Sequence, residues 1–239
     1  IFKGMQKNNW VAEEISFQKD KEQWENNDLN EQERTCFLRA LAFASNLDGL
    51  LVNSLSEVIK PHITSPEVVL AVARQIYEEC LHVDSYSCMV EAVGLDPEEV
   101  YGLYRKDKDL FYKNKRVLES MYKINRADFS TKTTEGAKEF LEACTTNLIF
   151  EGIFFFSAFL VFYNFGRHNK MPGSKEMIQF INRDEDLHVR LFVNIINSIK
   201  EEQPEVWTDD LKSTMRQNII DSVEMEIEWG VSCIGEGIL

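Results

Sequence analysis

At 239 residues, 44% hydrophobic and 28% charged, the chain has the balance of a globular protein able to bury one sizeable core. Its net charge of −14 argues against a nucleic-acid or anionic-membrane surface, since both need basic patches. Five scattered cysteines without a CxxC pair, and no basic-apolar leader, read as reduced thiols in a cytoplasmic protein.

Residues 1–30 are mixed in pattern and give no single element. From about 31 to 59 the spacing predicts a helix: Leu38, Leu41, Ala42, Ser45, Asp48, Leu51 and Val52 recur at three and four, which puts Asp48 in an apolar series. A second long helix is expected over 66–93, opened by an N-cap Ser65, Pro66 and Glu67, and closed at Gly94. It carries "EECLHVDSY", Glu78 to Tyr86. A short helix at about 97–104 follows a cap at Asp96, and another spans about 108–126. The next, at about 133–165, holds the most apolar run, "LIFEGIFFFSAFLVFY". That run is shorter than the roughly 20 residues a bilayer span needs and contains Glu151, so it reads as a buried core helix. Helices at about 174–200, carrying "RDEDLH", and 208–233 follow. No strand alternation and no linker interrupt the series. The expectation is one all-α domain over 1–239, a helical bundle, cut short at one or both ends because it starts at Ile1 and stops on "CIGEGIL".

Glu79 stands three residues before His82, and Glu185 three before His188. On a helix that spacing puts both side chains on one face, so each pair can reach one cation. Alone the pattern is weak in so acidic a chain. Asp48 and Glu151 add weight: both sit in apolar helices without a neighbouring Lys or Arg, and an ionised carboxylate is costly there unless something positive is near. Four carboxylates and two imidazoles balance two divalent ions and suit iron or manganese. One carboxylate from each of two helices and a Glu-x-x-His from each of two others is the dimetal-carboxylate pattern of bundles. His62 and His168 read as boundary or loop residues. Glu78 reads as one position off the face, solvated or in an ion pair. Tyr86, one turn beyond His82, reads either as a buried core tyrosine or as a redox-active phenol. Phe154, Phe155, Phe156 and Phe159, with Ile178 and Ile181, are the candidate dry shell around it.

Taken together and in order, "NNWVAEEI", Asp48 in "LDGLL", "EECLHVDSY", "FEGIFFFSAF" and "RDEDLH" resemble the small, radical-generating subunit of class I ribonucleotide reductase. The family's usual W-x-P-E-E appears here as "WVAEE", without the proline. The resemblance implies a ferritin-like fold, a homodimer, a separate large catalytic subunit and, in some systems, a flavodoxin-like activator. It assigns Asp48, Glu79 and His82 to one metal and Glu151, Glu185 and His188 to the other, with Glu79 and Glu185 able to bridge. It makes Tyr86 the radical tyrosine and Phe155, Phe159 and Ile181 its pocket. Trp10 and Asp184 match residues that, with His82, carry the oxidising equivalent outward, and Asp184 is placed to hold the outer nitrogen of His82. The implied activity is accessory: the oxidant passes to a cysteine of the large subunit, where ribonucleotides become deoxyribonucleotides. The metal pair (Fe/Fe, Mn/Mn or Mn/Fe), and whether the oxidant rests on Tyr86 or on the metals, stay open. The alternatives are another ferritin-like dimetal oxidase, oxygenase or desaturase, and a ferritin-like storage protein. The bulky "FFF" beside Glu151 argues for a closed pocket and against the first of these.

Overall fold

The computed structural model describes residues 1–234; the segment after Ile234, the end of "CIGEGIL", lies outside the described residues. Helices α1 (Phe2–Lys7) and α2 (Gln18–Glu25) flank a 3₁₀ turn at Ala12–Glu14. Then come α3 (Glu31–Asn53), α4 (Pro66–Val93), α5 (Pro97–Lys106), α6 (Lys108–Ile124), α7 (Thr134–Ile149), α8 (Phe155–Arg167), α9 (Pro172–Glu202) and α10 (Asp209–Ile234). Among the described residues there is no strand.

The helix ends follow local chemistry. Asn30 and Glu33 form a reciprocal capping box at the start of α3. The Ser65 hydroxyl accepts from the Val68 amide at α4, which ends on left-handed Gly94 at φ 83°. The start of α9 is capped from elsewhere in the chain. The buried Asp20 carboxylate of α2 accepts from the Gly173 and Ser174 amides, at 2.8 and 2.7 Å, and from the Ser174 hydroxyl. A Cβ on Gly173 would lie 2.4 Å from the Ser16 carbonyl oxygen, so only glycine permits this approach. The mixed first thirty residues thus act partly as a clamp on α9.

Two expected helices prove to be interrupted. The stretch 31–59 leaves α-geometry at Ser54 for a π turn to Ile59, and 133–165 contains a π turn at Phe150–Phe154. A π turn absorbs one extra residue without ending the helix, so the helical run carries on beyond it and only the sequence spacing of the buried face shifts by one. The short helix predicted at 97–104 runs on to Lys106, and α6 ends two residues before the expected 126.

Helices α3, α4, α8 and α9 form the bundle, with α3 against α4 and α8, and α9 against α4, α7 and α8. Two apolar cores result. One contains Leu47, Leu51, Tyr86, Phe155, Phe159 and Ile181; the other contains Leu55, Val72, Cys144, Leu191 and Phe192. Between them on α4 come Gln75, Glu78, Glu79 and His82, and on α9 Asp184, Glu185 and His188, all buried. The stretches Glu31–His62 and Thr134–Arg167 are long and apolar enough to cross a membrane, yet their inward faces carry Asp48 and Glu151 into this same layer. All five cysteines are free thiols.

Candidate dimetal centre

Asp48 comes from α3, Glu79 and His82 from α4, Glu151 from the π turn before α8, and Glu185 and His188 from α9. All six are fully buried. Donor atoms of Asp48, Glu79, His82 and Glu185 lie within 4.8 Å of one another, as do those of Glu79, Glu151, Glu185 and His188. Glu79 and Glu185 belong to both groups, which is the placement bridging carboxylates require. Both imidazoles aim Nδ1 inward. His82 Nδ1 lies 3.2 Å from Glu185 and 3.4 Å from Glu79, and His188 Nδ1 lies 2.8 Å from Glu185 and 3.1 Å from Glu79.

Whether these residues fit a pair of cations can be tested on their own bonding. Both oxygens of Asp48, one each of Glu79, Glu151 and Glu185, and His82 Nδ1 have no hydrogen-bond partner although they are buried. Orphaned acceptors at this density in a dry interior are costly unless positive charge stands among them. The titration behaviour agrees. Burial, then the charge of Glu79, lifts Asp48 well above the carboxylate range, and burial with Glu79 and Glu185 does the same to Glu151. Burial alone would depress the imidazoles. The contacts of His82 with Asp184, Glu185 and Glu79, and the charges of Glu185 and Glu79 on His188, outweigh it and raise both. Burial opposes Glu185 too, but the two imidazoles pull it far below its usual range. Protons are thus held where cations would otherwise sit, and the donor set fits two divalent ions.

A family model described as "Ribonucleotide reductase, small chain" matches residues 1–239. The chain belongs to the ribonucleotide reductase small-chain family. It is 36% identical over 233 residues to the ribonucleoside-diphosphate reductase subunit beta of Chlamydia pneumoniae, covering 97% of this chain and 67% of that one. With the subunit beta of Treponema pallidum it shares 35% identity, over 97% of this chain and 64% of the other. The ribonucleotide reductase R2 subunit from Clostridium botulinum superposes with a TM-score of 0.90 at 34% identity, covering 100% and 73% of the two chains. The chain therefore spans about two thirds of the length of these curated relatives. The ferritin-like all-α expectation is met by the small-chain fold.

Further residues singled out from the sequence lie around the donors. Trp10 Nε1 donates to Asp184 Oδ2 at 2.7 Å, and the same oxygen lies 3.4 Å from His82 Nε2. The indole also stacks near His82, with centroids 6.2 Å apart. Tyr86 is fully buried and its hydroxyl has no hydrogen-bond partner. Burial, then the charge of Asp48, holds its phenol well above the ordinary range. Phe154, Phe155, Phe159, Ile178 and Ile181 share its apolar core. Phe156 does not: it is 36% exposed, because the position after Phe155 turns outward on α8. His62 packs edge-on against Phe129 and Phe140, and His168 is exposed, so both lie away from the donors.

Two residues escaped the sequence reading. Gln75 Nε2 donates to Glu151 at 2.6 Å and stands 3.3 Å from Glu79. Glu78 is paired with Arg74, one of the two readings offered, but it is not solvated: its exposure is 0% and it also holds His188 Nε2 at 2.9 Å. Positions i−4 and i−3 both lie beside a helical residue, so Glu78 and Glu79 share the face of His82. A stripe of 75, 78, 79, 82 and 86 was the available signal.

Proposed function

We propose that this chain is the radical-generating portion of a small subunit that serves a ribonucleoside-diphosphate reductase. Asp48, Glu79 and His82 hold one metal, and Glu151, Glu185 and His188 the other. The observation that carries the reading is the pairing of a buried Tyr86, under the charge of Asp48, with the buried line His82–Asp184–Trp10. A storage site or an oxygenase pocket has no use for that line. The oxygen-rich donor set with two imidazoles suits iron or manganese, as Fe/Fe, Mn/Mn or Mn/Fe. Such ions, once bound, supply a one-electron oxidising equivalent drawn from an oxygen species.

The chain's own residues do the rest. The phenol of Tyr86 stays protonated at neutral pH, so its oxidation releases a proton as well as an electron. Asp48, the carboxylate acting on it most strongly, is the candidate acceptor. Phe155, Phe159 and Ile181 exclude water and reductants from the oxidised phenol. The Asp184 carboxylate holds the Trp10 N–H and the outer edge of His82 in one line, along which the oxidising equivalent leaves. It passes to a cysteine of a large catalytic subunit that reduces ribonucleotides. Assembly as a homodimer, a flavodoxin-like activator and a reducing cytoplasmic setting complete the reading.

The test is reconstitution of the full-length protein with Fe(II), Mn(II) or both, exposure to oxygen or superoxide, and EPR spectroscopy. A tyrosyl signal that disappears in Tyr86→Phe supports the assignment. Absence of bound metal, or deoxyribonucleotide formation unaffected by Tyr86→Phe, would overturn it.

A further inference from the structure

The two halves of the centre are cross-braced. Each half of the sequence reads acid–Glu–x–x–His: Glu78, Glu79 and His82 on α4, and Asp184, Glu185 and His188 on α9. In each, the second acid faces the donors. The first acid reaches across to the imidazole of the opposite helix, Asp184 to His82 and Glu78 to His188. We propose that Glu78, clamped by Arg74, is a positioning residue that orients His188 and sets the affinity of one metal position of the two. The inference rests on the dimetal reading of the centre.

The geometry argues it in three steps. An imidazole that gives its Nδ1 lone pair to a cation must carry its proton on Nε2. His188 Nε2 stands 2.9 Å from Glu78 Oε2, so a carboxylate waits where that N–H points, fixing both the tautomer and the ring's rotation. The carboxylate is itself held, because Arg74 Nε donates to Glu78 Oε1 at 2.9 Å and the guanidinium lies 4.7 Å over the Tyr77 ring. Glu78 is fully buried while the Arg74 side chain is 16% exposed, so the clamp runs from the metal layer almost to solvent. Without Glu78 the His188 N–H would have no acceptor, and the ring would lose its hold.

Charge separates this brace from its counterpart. The four inward carboxylates balance two divalent ions. Glu78 is paired with Arg74, whereas Asp184 shares its hydrogen-bonded oxygen between an indole N–H and an imidazole, with no guanidinium or ammonium bonded to it among the described residues. The two metal positions therefore sit in unlike fields although their donor types match. Loss of a carboxylate behind a ligating histidine typically weakens metal binding by about 10–100-fold.

The experiment titrates the metal-free full-length protein with Mn(II) under anaerobic conditions, reading free Mn(II) by EPR and bound metal by elemental analysis. Wild type is expected to bind two ions. Glu78→Ala is expected to keep one at wild-type affinity and bind the other about 10–100-fold more weakly. Glu78→Gln, whose amide oxygen still accepts from Nε2–H but whose NH2 then faces the Arg74 N–H, is expected to recover part of the loss. Glu78→Ala combined with Asp48→Ala is expected to hold no ion at a concentration where Asp48→Ala alone holds one. Arg74→Met, which spares the metal layer, reads out the clamp should Glu78→Ala fold poorly, and is expected to weaken the same single ion. Wild type binding fewer than two ions would overturn the dimetal reading and this inference with it. Two ions bound at unchanged affinity by folded Glu78→Ala, or Glu78→Gln as weak as Glu78→Ala, would overturn this inference alone.

Discussion

From His82 a line of contacts runs through Asp184 to Trp10, an indole that can lose an electron; from His188 one runs through Glu78 to Arg74, a guanidinium that cannot. Both arms begin alike, at an imidazole whose Nδ1 faces shared carboxylates and whose Nε2 faces an acid from the opposite helix. They end differently because the N-terminal segment lays Trp10 against one of them, while Arg74 reaches the other from one turn away on α4. On the proposed function, what caps each arm would make a nearly symmetric pair of metal positions directional. Only one arm hydrogen-bonds an oxidisable ring to the acid behind its imidazole; Tyr77 on the other meets the guanidinium, not the carboxylate.

The bluntest way to break the comparison is to remove what both arms share. Glu79→Ala or Glu185→Ala should abolish binding of both ions, whereas Asp48→Ala or Glu151→Ala should spare one; elemental analysis of purified protein decides, and equal losses in all four would show that the carboxylates are not shared. Cutting one arm comes next. Trp10→Phe removes the N–H that Asp184 accepts and the indole itself, and should cut deoxyribonucleotide formation with the large subunit by at least roughly 100-fold, with two ions still bound. Arg74→Met should leave a far larger share of that activity once metal is saturating, and equal activity losses in the two variants would abolish the distinction between the arms.

The apolar side sharpens the picture on a smaller scale. Phe155→Ala should lower unfolding stability by about 3–5 kcal/mol and shorten the lifetime of a Tyr86 radical. Phe156→Ser should stay within about 0.5 kcal/mol of wild type, and denaturant unfolding separates the two. The smallest effect concerns pH. In the metal-free protein Asp48, Glu151, His82 and His188 all have raised pKa values, so each binds protons more tightly folded than unfolded. Their stabilisation is complete below the unfolded values of about 4 and 6.5 and is lost as pH rises through the folded ones. Glu185, lowered, opposes them: its contribution is present above its unfolded value and is lost only as pH falls through the folded one. The metal-free Tm should therefore fall from about pH 5 to 8. With saturating metal it should hold or climb, since the donors must be deprotonated to bind. Calorimetry across that range checks the sign.

Much of this was legible in the residues. The bounds of α4 follow from Ser65, Pro66 and Gly94, each with a direct backbone reason. The six donors could be read because Asp48 and Glu151 interrupt apolar patterns and the two Glu-x-x-His pairs repeat. Trp10 and Asp184 needed the family resemblance, since they meet across 174 residues and neither stands out locally. Glu78 and Gln75 were missed because the reading allowed α4 too narrow an inward face, although the helix packs on both α3 and α9. The π turns were invisible because neither contains a Pro, and a one-residue shift of the buried face leaves no mark in so apolar a run as 148–163.

The π turn at Phe150–Phe154 has a consequence for insertions and deletions. An ideal helix that gained a residue here would rotate everything beyond it by about 100°, carrying Phe155 and Phe159 out of the core. The wide turn confines the added residue, so the pocket helix keeps its phase while Glu151 is re-aimed inward. Deleting Gly152 should then restore a plain helix that still folds, with both phenylalanines buried, but with Glu151 displaced and one metal position lost. On that helix, packing and ligation are written in separate residues, and a single codon divides them.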